Sequence, residues 1–210
     1  MTNINIRYGR TAHTHLRVLS NVRREKKLNP QYRVVDIGGV AGGSWTKDVA
    51  DLTVDINSPT LPIDICKREE WDVLLDDVQN NGRYDYAICT HTLEDIYNPF
   101  TTLDLLPTVA KAGIITMPSI RSELSRVESA SWLGYIHHRW IFSQRDGMML
   151  VIPKLSMLER LVGNSVQFDK EQEEVIYEWT GTVPYKIFMN NYLGPDAMTV
   201  INEFKSVINI

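Results

Sequence analysis

The sequence predicts an α/β protein built on a doubly wound, mostly parallel sheet, with an antiparallel C-terminal edge and a β-hairpin insertion. Three observations carry this expectation. Short apolar runs alternate with helical periodicity through the first 118 residues, the pattern of a parallel sheet covered by helices. The stretch VVDIGGVAGGSW, residues 34–45, runs an apolar strand into four glycines, a turn that lets a backbone approach a ligand closely. After Pro118 the texture changes to a polar stretch followed by two apolar runs around an Arg-Asp-Gly turn.

Taken in order, the periodicity predicts a helix over about 12–27, a strand over 32–37, a helix over about 43–50 and a strand over 51–55. A helix over about 68–79 follows, introduced by KREEWDVLL, and then the strand YDYAIC (84–89). Pro99 suits the first turn of a helix over about 99–110, and AGIITMP (112–118) ends the wound part. SIRSELSRVESASWLG reads as a polar helical stretch, HHRWIFSQRDGMMLVIPK as a hairpin, and EVIYEWTGTVPYKIFMNN as a second hairpin. A single domain over 1–210 is expected, with a ligand-binding core at 32–118, an insertion at 119–153 and a C-terminal completion of the sheet at 154–210.

Composition narrows the function classes. The chain has 210 residues, is 43% hydrophobic and 23% charged, and carries a formal net charge of −4. No stretch approaches the roughly 18 apolar residues that a membrane span needs, and the N-terminus has no apolar leader segment. A soluble, cytoplasmic protein is expected. The one basic cluster, RREKK at 23–27, lies on a predicted helix and reads as a solvated face rather than a nucleic-acid surface. Cys66 and Cys89 both sit in apolar runs and are expected as buried, reduced thiols.

Two ligand classes use a glycine turn after a strand, dinucleotides and S-adenosylmethionine. In the dinucleotide fingerprint the second glycine has no side chain because a pyrophosphate touches the backbone there, and here that position is Val40. A ligand without phosphates suffers less from the valine. Asp55 follows Asp36 by 19 residues, at the end of the second strand of the glycine-loop unit, where an acid accepts both ribose hydroxyls of an adenosine.

On these residues the chain resembles the class I S-adenosylmethionine-dependent methyltransferases over about residues 32–118. Asp36-Ile37-Gly38-Gly39-Val40-Ala41-Gly42 is similar to the D-x-G-x-G-x-G loop of that family, with Val40 in place of the central glycine. TVDIN resembles its ribose-binding strand end, IDICKREEWDVL the segment whose acid meets the adenine amino group, and YDYAICTHTLEDIYNP the stretch that passes the methionine part. The resemblance implies a Rossmann-like fold, the cofactor S-adenosyl-L-methionine, and cofactor contacts from Asp36, Gly38, Gly39, Gly42, Asp55, Ile56, Asp64, Ile65, Thr90 and His91. Asp95 stands where many relatives carry a second histidine. Asp64 has a competing reading as the N-cap of the helix that follows. MPSIRSELSRVE followed by GYIHHRWIF also resembles short methyltransferase-like proteins linked to polysaccharide assembly, including the methyltransferase domain of a chlorovirus glycan-building protein. That resemblance implies a carbohydrate or glycan acceptor and O-methylation of a sugar hydroxyl, rhamnose-like as a first expectation.

An alcohol acceptor must lose a proton, so a positioned base or a metal is needed, and no metal-ligand set is read from the sequence. His137-His138-Arg139-Trp140 packs an imidazole pair, a guanidinium and an indole into four residues. On a strand, parity places His138 with Trp140 and His137 with Arg139, so only one histidine of the pair is expected to face the pocket. His138 is the first choice of base and His137 the reserve, with Glu123 orienting the ring and Glu128 as a further candidate. His91 and Asp95 stand behind them. Trp132, Tyr135 and Trp140 are candidates to stack on a pyranose or to be core. Two other readings stay open: a non-catalytic cofactor-binding scaffold in glycan assembly, and a nicotinamide-dependent oxidoreductase.

Overall fold

The computed structural model describes residues 3–39, 45–58, 60–156, 165–188 and 197–208. It contains a six-stranded sheet and a three-stranded sheet. Its elements are β1 (Asn3–Gly9), α1 (Thr11–Leu28), β2 (Val34–Ile37), β3 (Leu52–Val54), α2 (Asp72–Asn81), β4 (Tyr84–Thr90), α3 (Pro99–Val109) and β5 (Ala110–Pro118). Then come α4 (Ile120–Glu123), β6 (Trp140–Arg145), β7 (Met148–Pro153), β8 (Glu174–Thr180), β9 (Tyr185–Ile187) and α5 (Ala197–Ile208), with 3-10 turns at Arg68–Trp71 and Lys170–Gln172.

The large sheet has the order β1-β8-β5-β4-β2-β3. β3, β2, β4 and β5 are mutually parallel, and β8 lies antiparallel to both β5 and β1, so β1 runs in the direction of the parallel strands. This is the expected α/β, mostly parallel, Rossmann-like arrangement. It departs from expectation at one side: the C-terminal strand β8 is internal, and the edge beside it is the N-terminal strand β1. The Ile4, Ile6, Tyr8 alternation in NINIRYG carried that signal.

Side-chain parity divides the core. Val34, Ile88, Ile114 and Ile176 face α1, whose Val18 and Val22 pack on them. Val35, Ile37, Ala87, Cys89, Ile115, Met117, Val175 and Tyr177 face the opposite way, toward α2, α3 and the small sheet. Burying both faces of a parallel sheet is what keeps its strands almost wholly apolar. Cys66 and Cys89 are free and buried. The basic cluster on α1 has acidic neighbours: Lys26 binds the Asp51 carboxylate at 2.6 Å and Arg24 binds Glu25 at 2.9 Å.

The small sheet has the order β6-β7-β9. Its β6–β7 hairpin turns at Asp146 and Gly147, with φ of +53° and +73°, the paired positive values that a tight type I′ connection requires. One face of this sheet supplies Phe142, Met149 and Val151 to the main core. The other supplies Ile141, Leu150 and Ile152 to a separate cluster with Val200 and Phe204 of α5.

Three expected elements are corrected. The described part of the 43–50 helix is a single turn, in which the Val49 and Ala50 N–H groups share the Thr46 carbonyl. The chain must then leave it, because Asp51 bonds Val34 through both its N–H and its carboxylate. The polar stretch after Pro118 is helical only over Ile120–Glu123, capped by the Ser119 hydroxyl. Beyond it serine side chains compete for the backbone: the Ser125 hydroxyl donates to Ser122 O at 2.8 Å and Ser129 Oγ accepts from Ser131 N at 3.0 Å. The second hairpin does not form. Both edges of β8 are taken by β1 and β5, so β9 joins β7 in parallel instead. Among the described residues, no helix is long and apolar enough to cross a membrane.

Candidate functional site

The parallel strands β2, β3 and β4 end on the same side of the sheet, which is where ligands meet open α/β sheets. At the end of β2, Asp36 is buried and accepts from the Thr46 hydroxyl. Gly38 has φ of +84°, its N–H donates to Val54 O at 2.6 Å, and a Cβ there would lie 2.2 Å from the Thr92 hydroxyl. A Cβ on Gly39 would lie 2.1 Å from the Asp36 carboxylate. These glycines therefore let the loop backbone sit against the ends of β3 and β4. Val40 and Gly42 lie outside the described residues.

Beside this loop, a cavity of about 240 Å³ brings together Asp55, Ile56, Asp64 and Ile65, four of the sequence-predicted residues, with Tyr97 and Arg139, which sequence reasoning missed as ligand contacts. Asp55 accepts from Asn57 N–H at 2.8 Å through one oxygen. Asp64 caps neither the 3-10 turn, whose N-cap is Lys67, nor α2, whose N-cap is Trp71. It accepts from Cys66 N–H at 3.0 Å and from the Tyr97 hydroxyl at 3.4 Å, and pairs with Lys67 at 3.5 Å. Burial works against its charge, but the Cys66 and Lys67 contacts outweigh it and hold its carboxyl below the usual carboxylate range. Three carboxylates, Asp55, Asp64 and Asp95, thus share the slot with isoleucine side chains and the Tyr97 ring, a lining that offers hydrogen-bond acceptors beside apolar walls.

His91 points elsewhere. Its backbone is left-handed, φ +50°, and its Nε2 lies 3.1 Å from Glu174 while Nδ1 lies 3.4 Å from Glu94, both acids being buried. Burial opposes the charged ring, but Glu174 and Glu94 prevail and lift its pKa to about 10, so it is an imidazolium at neutral pH and is corrected as a reserve base. Burial works against the Glu174 charge, but hydrogen bonds from His91, Thr14 and Thr11 together with the His91 charge hold its carboxyl below the usual range. A raised histidine contributes stability that is complete below its unfolded value of 6.5 and lost as pH rises through about 10. The lowered glutamate contributes stability present above 4.5 and lost as pH falls below it. Denaturant unfolding of wild type and His91→Gln should therefore differ most between these limits, and the gap should narrow as pH rises from 7 past 10. A gap that stays constant over that range would overturn the assignment.

The second half of the site is built by the 94–96 turn and the residues before β6. Arg139 and Trp140 N–H groups donate to Glu94 O at 2.7 and 3.2 Å, and the Arg139 Nε and Trp140 Nε1 donate to Asp95 O and Ile96 O. This stitching brings His137 and His138 over Asp95. Both histidines precede β6 and lie in a turn, so strand parity does not govern them: each Nε2 approaches Asp95 Oδ1, at 3.5 and 3.6 Å. The expectation that only one would face the site is corrected. His137 is exposed and His138 buried, with a side chain only 5% accessible.

His138 Nδ1 lies 2.5 Å from Glu123 Oε1. The other Glu123 oxygen accepts from Lys154 Nζ at 2.8 Å, and Lys154 also donates to Tyr135 O at 2.6 Å. An ionised carboxylate only accepts, so Glu123 takes the Nδ1–H of His138 and Nε2 is the ring atom turned toward Asp95. Glu123, His138 and Lys154 line a second cavity of about 300 Å³ with Trp132, Ile136 and leucine side chains. Lys154 was not foreseen as a member of the site; its only sequence signal was a charge closing an apolar strand. Two other candidates move out of the site. Trp140 packs in the core, edge-on to Phe100 at 5.1 Å, and Glu128 holds the loop by accepting from Trp132 Nε1 and Ile136 N–H.

No family model matches the chain, and no curated protein matches it. Among solved structures the chain is similar to the methyltransferase domain of bacterial CtHen1-C at 12% identity and a TM-score of 0.39, over 81% of this chain and 99% of that one, a likeness too slight to bear on function.

Proposed function

We propose that the protein is an S-adenosylmethionine-dependent O-methyltransferase acting on a sugar hydroxyl of a glycan. The observation that carries this reading is the meeting of two cavities: Asp95 lines the acid-bearing slot at the strand ends, His138 lines the apolar one, and the two side chains approach to 3.6 Å. Asp55 would hold the ribose, Asp64 the adenine amino group, and Ile56, Ile65 and Tyr97 the faces of the base. When bound, the sulfonium supplies the methyl group for transfer. Methyl transfer is an in-line displacement in which positioning supplies much of the acceleration, so the walls of the two cavities do most of the work. The acceptor's proton is the remaining task. His138, with its Nε2 lone pair directed toward the junction and its ring held by Glu123, is the group placed to act on it. Leu124, Leu133 and Ile136 beside Glu123 and Lys154 suit a deoxy sugar, one face apolar and the rest hydroxylated, with rhamnose-like residues the first choice.

Calorimetric titration of S-adenosylmethionine into wild type and Asp55→Ala tests the cofactor half. Removing a charged acceptor from two hydroxyls should cost about 1.5–3 kcal/mol of affinity. Unchanged affinity would sink the assignment, and micromolar NADH binding without S-adenosylmethionine binding would favour an oxidoreductase. For the acceptor half, transfer of a radiolabelled methyl group to glycosides is expected. Transfer to RNA or lysine but to no glycoside would refute it.

A further inference from the structure

We propose that Asp95, His137 and His138 form a binding site for a divalent first-row transition-metal cation of the Zn²⁺ type. The Asp95 Oδ1 atom and both Nε2 atoms lie within 4.8 Å of one another. Their approaches to Asp95, 3.5 and 3.6 Å, are too long for hydrogen bonds. Asp95 Oδ1 nonetheless accepts no hydrogen bond among the described residues, a shielded atom on a side chain that is 42% exposed as a whole. A buried acceptor flanked by two ring nitrogens that do not bond it has a missing partner, and a cation is a partner all three atoms share. Ligands each about 2.0–2.2 Å from one ion sit roughly 3–3.6 Å apart, close to the two separations seen. Any remaining adjustment falls to His137, whose side chain is 58% exposed and free to swing.

A second observation points the same way. Metal-bound histidines almost always give their other ring N–H to a carboxylate, and His138 gives Nδ1–H to Glu123 at 2.5 Å. Glu123 is itself fixed by Lys154 and packed against Gly134, where φ is +59° and a Cβ would fall 2.4 Å from its carboxylate. The acceptor and the ring orientation are thus set before any cation arrives. Two imidazoles and one carboxylate suit Zn²⁺ or its borderline neighbours and disfavour Mg²⁺ and Ca²⁺, which take oxygen ligands. Three protein ligands leave coordination positions open, and here they open between the two cavities. There a hydroxyl bound to the cation would become acidic enough to lose its proton to solvent, and with the cation bound His138 would serve as a ligand in place of the base, its Nε2 being spent on the metal. That role rests on the O-methyltransferase reading, whereas the binding does not.

The test is titration of Zn²⁺ into full-length, tag-free, chelator-treated protein by calorimetry, with Co²⁺ absorption reporting the donor set. Wild type should bind a single equivalent. Asp95→Ala and His137→Ala should each weaken binding at least about tenfold while unfolding at the wild-type temperature, Glu123→Gln should weaken it about 10–100-fold, and excess Mg²⁺ should not compete. No Zn²⁺ binding, or equal affinity in Asp95→Ala and His137→Ala, would overturn the proposal. Titrating S-adenosylmethionine in parallel separates the two readings. Zn²⁺ binding without cofactor binding removes the methyltransferase role and leaves the site standing; cofactor binding without Zn²⁺ binding does the reverse.

Discussion

His138→Ala is expected to lower turnover on the glycoside acceptor by about a hundredfold to ten-thousandfold at saturating S-adenosylmethionine, with cofactor affinity unchanged. The separation follows from the geometry. His138 is one of the walls of the apolar cavity, whereas Asp55 and Asp64 line the other one. The ring is buried and held by Glu123, so its loss removes an oriented ring nitrogen that water in the enlarged cavity does not replace. His137→Ala should cost less as a proton acceptor, because its ring is 58% exposed and, among the described residues, no carboxylate fixes its second nitrogen as Glu123 fixes that of His138, and more if it anchors a cation. Retention of both variants within about threefold of wild type would place proton removal elsewhere, and His91 would not inherit the role, since its clamped imidazolium has no lone pair to offer at neutral pH.

Much of the fold was legible because local pattern and burial agree in it. Val34–Ile37, Tyr84–Thr90 and Ala110–Pro118 are apolar on both faces and flanked by helical periodicity, a combination that only a covered parallel sheet satisfies. What was not legible depended on partners distant in sequence. NINIRYG carries period-2 alternation, but seven residues become an edge strand only when β8 arrives from 170 residues away to pair with them. The serine-rich stretch after Glu123 has helix-compatible spacing, and its hydroxyls spend that potential on turns. The site divides in the same way. Asp55, Ile56, Asp64 and Ile65 sit close in sequence and meet in one cavity. His137 and His138 stand out in the sequence, but strand parity does not give their direction at a place where the strand has not begun. Their orientation comes from the Glu94 and Ile96 carbonyls that hold Arg139 and Trp140, contacts that no local pattern announces.

Glu123→Ala should be the most destabilising single change at the site, by about 3–5 kcal/mol, because it breaks a buried charged pair by removing one partner. Glu123 is 2% exposed and serves two groups at once, His138 Nδ1 and Lys154 Nζ. Without it, Lys154, whose side chain is 14% exposed, keeps among the described residues only the Tyr135 carbonyl, and the His138 N–H loses its acceptor. At this chain length the loss corresponds to a fall in Tm of roughly 6–20 °C. Glu123→Gln keeps the volume and one acceptor and should cost less than the alanine variant. Combining Glu123→Leu with Lys154→Met removes both ionic partners together and should recover part of the loss, since apolar replacement of a whole buried pair is often neutral or stabilising. Equilibrium denaturation of the four proteins decides the point. If Glu123→Ala loses less than about 1 kcal/mol, the carboxylate is not the hub that holds His138 in place, and the orientation of that ring must come from its stacking on Tyr135 at 4.6 Å instead.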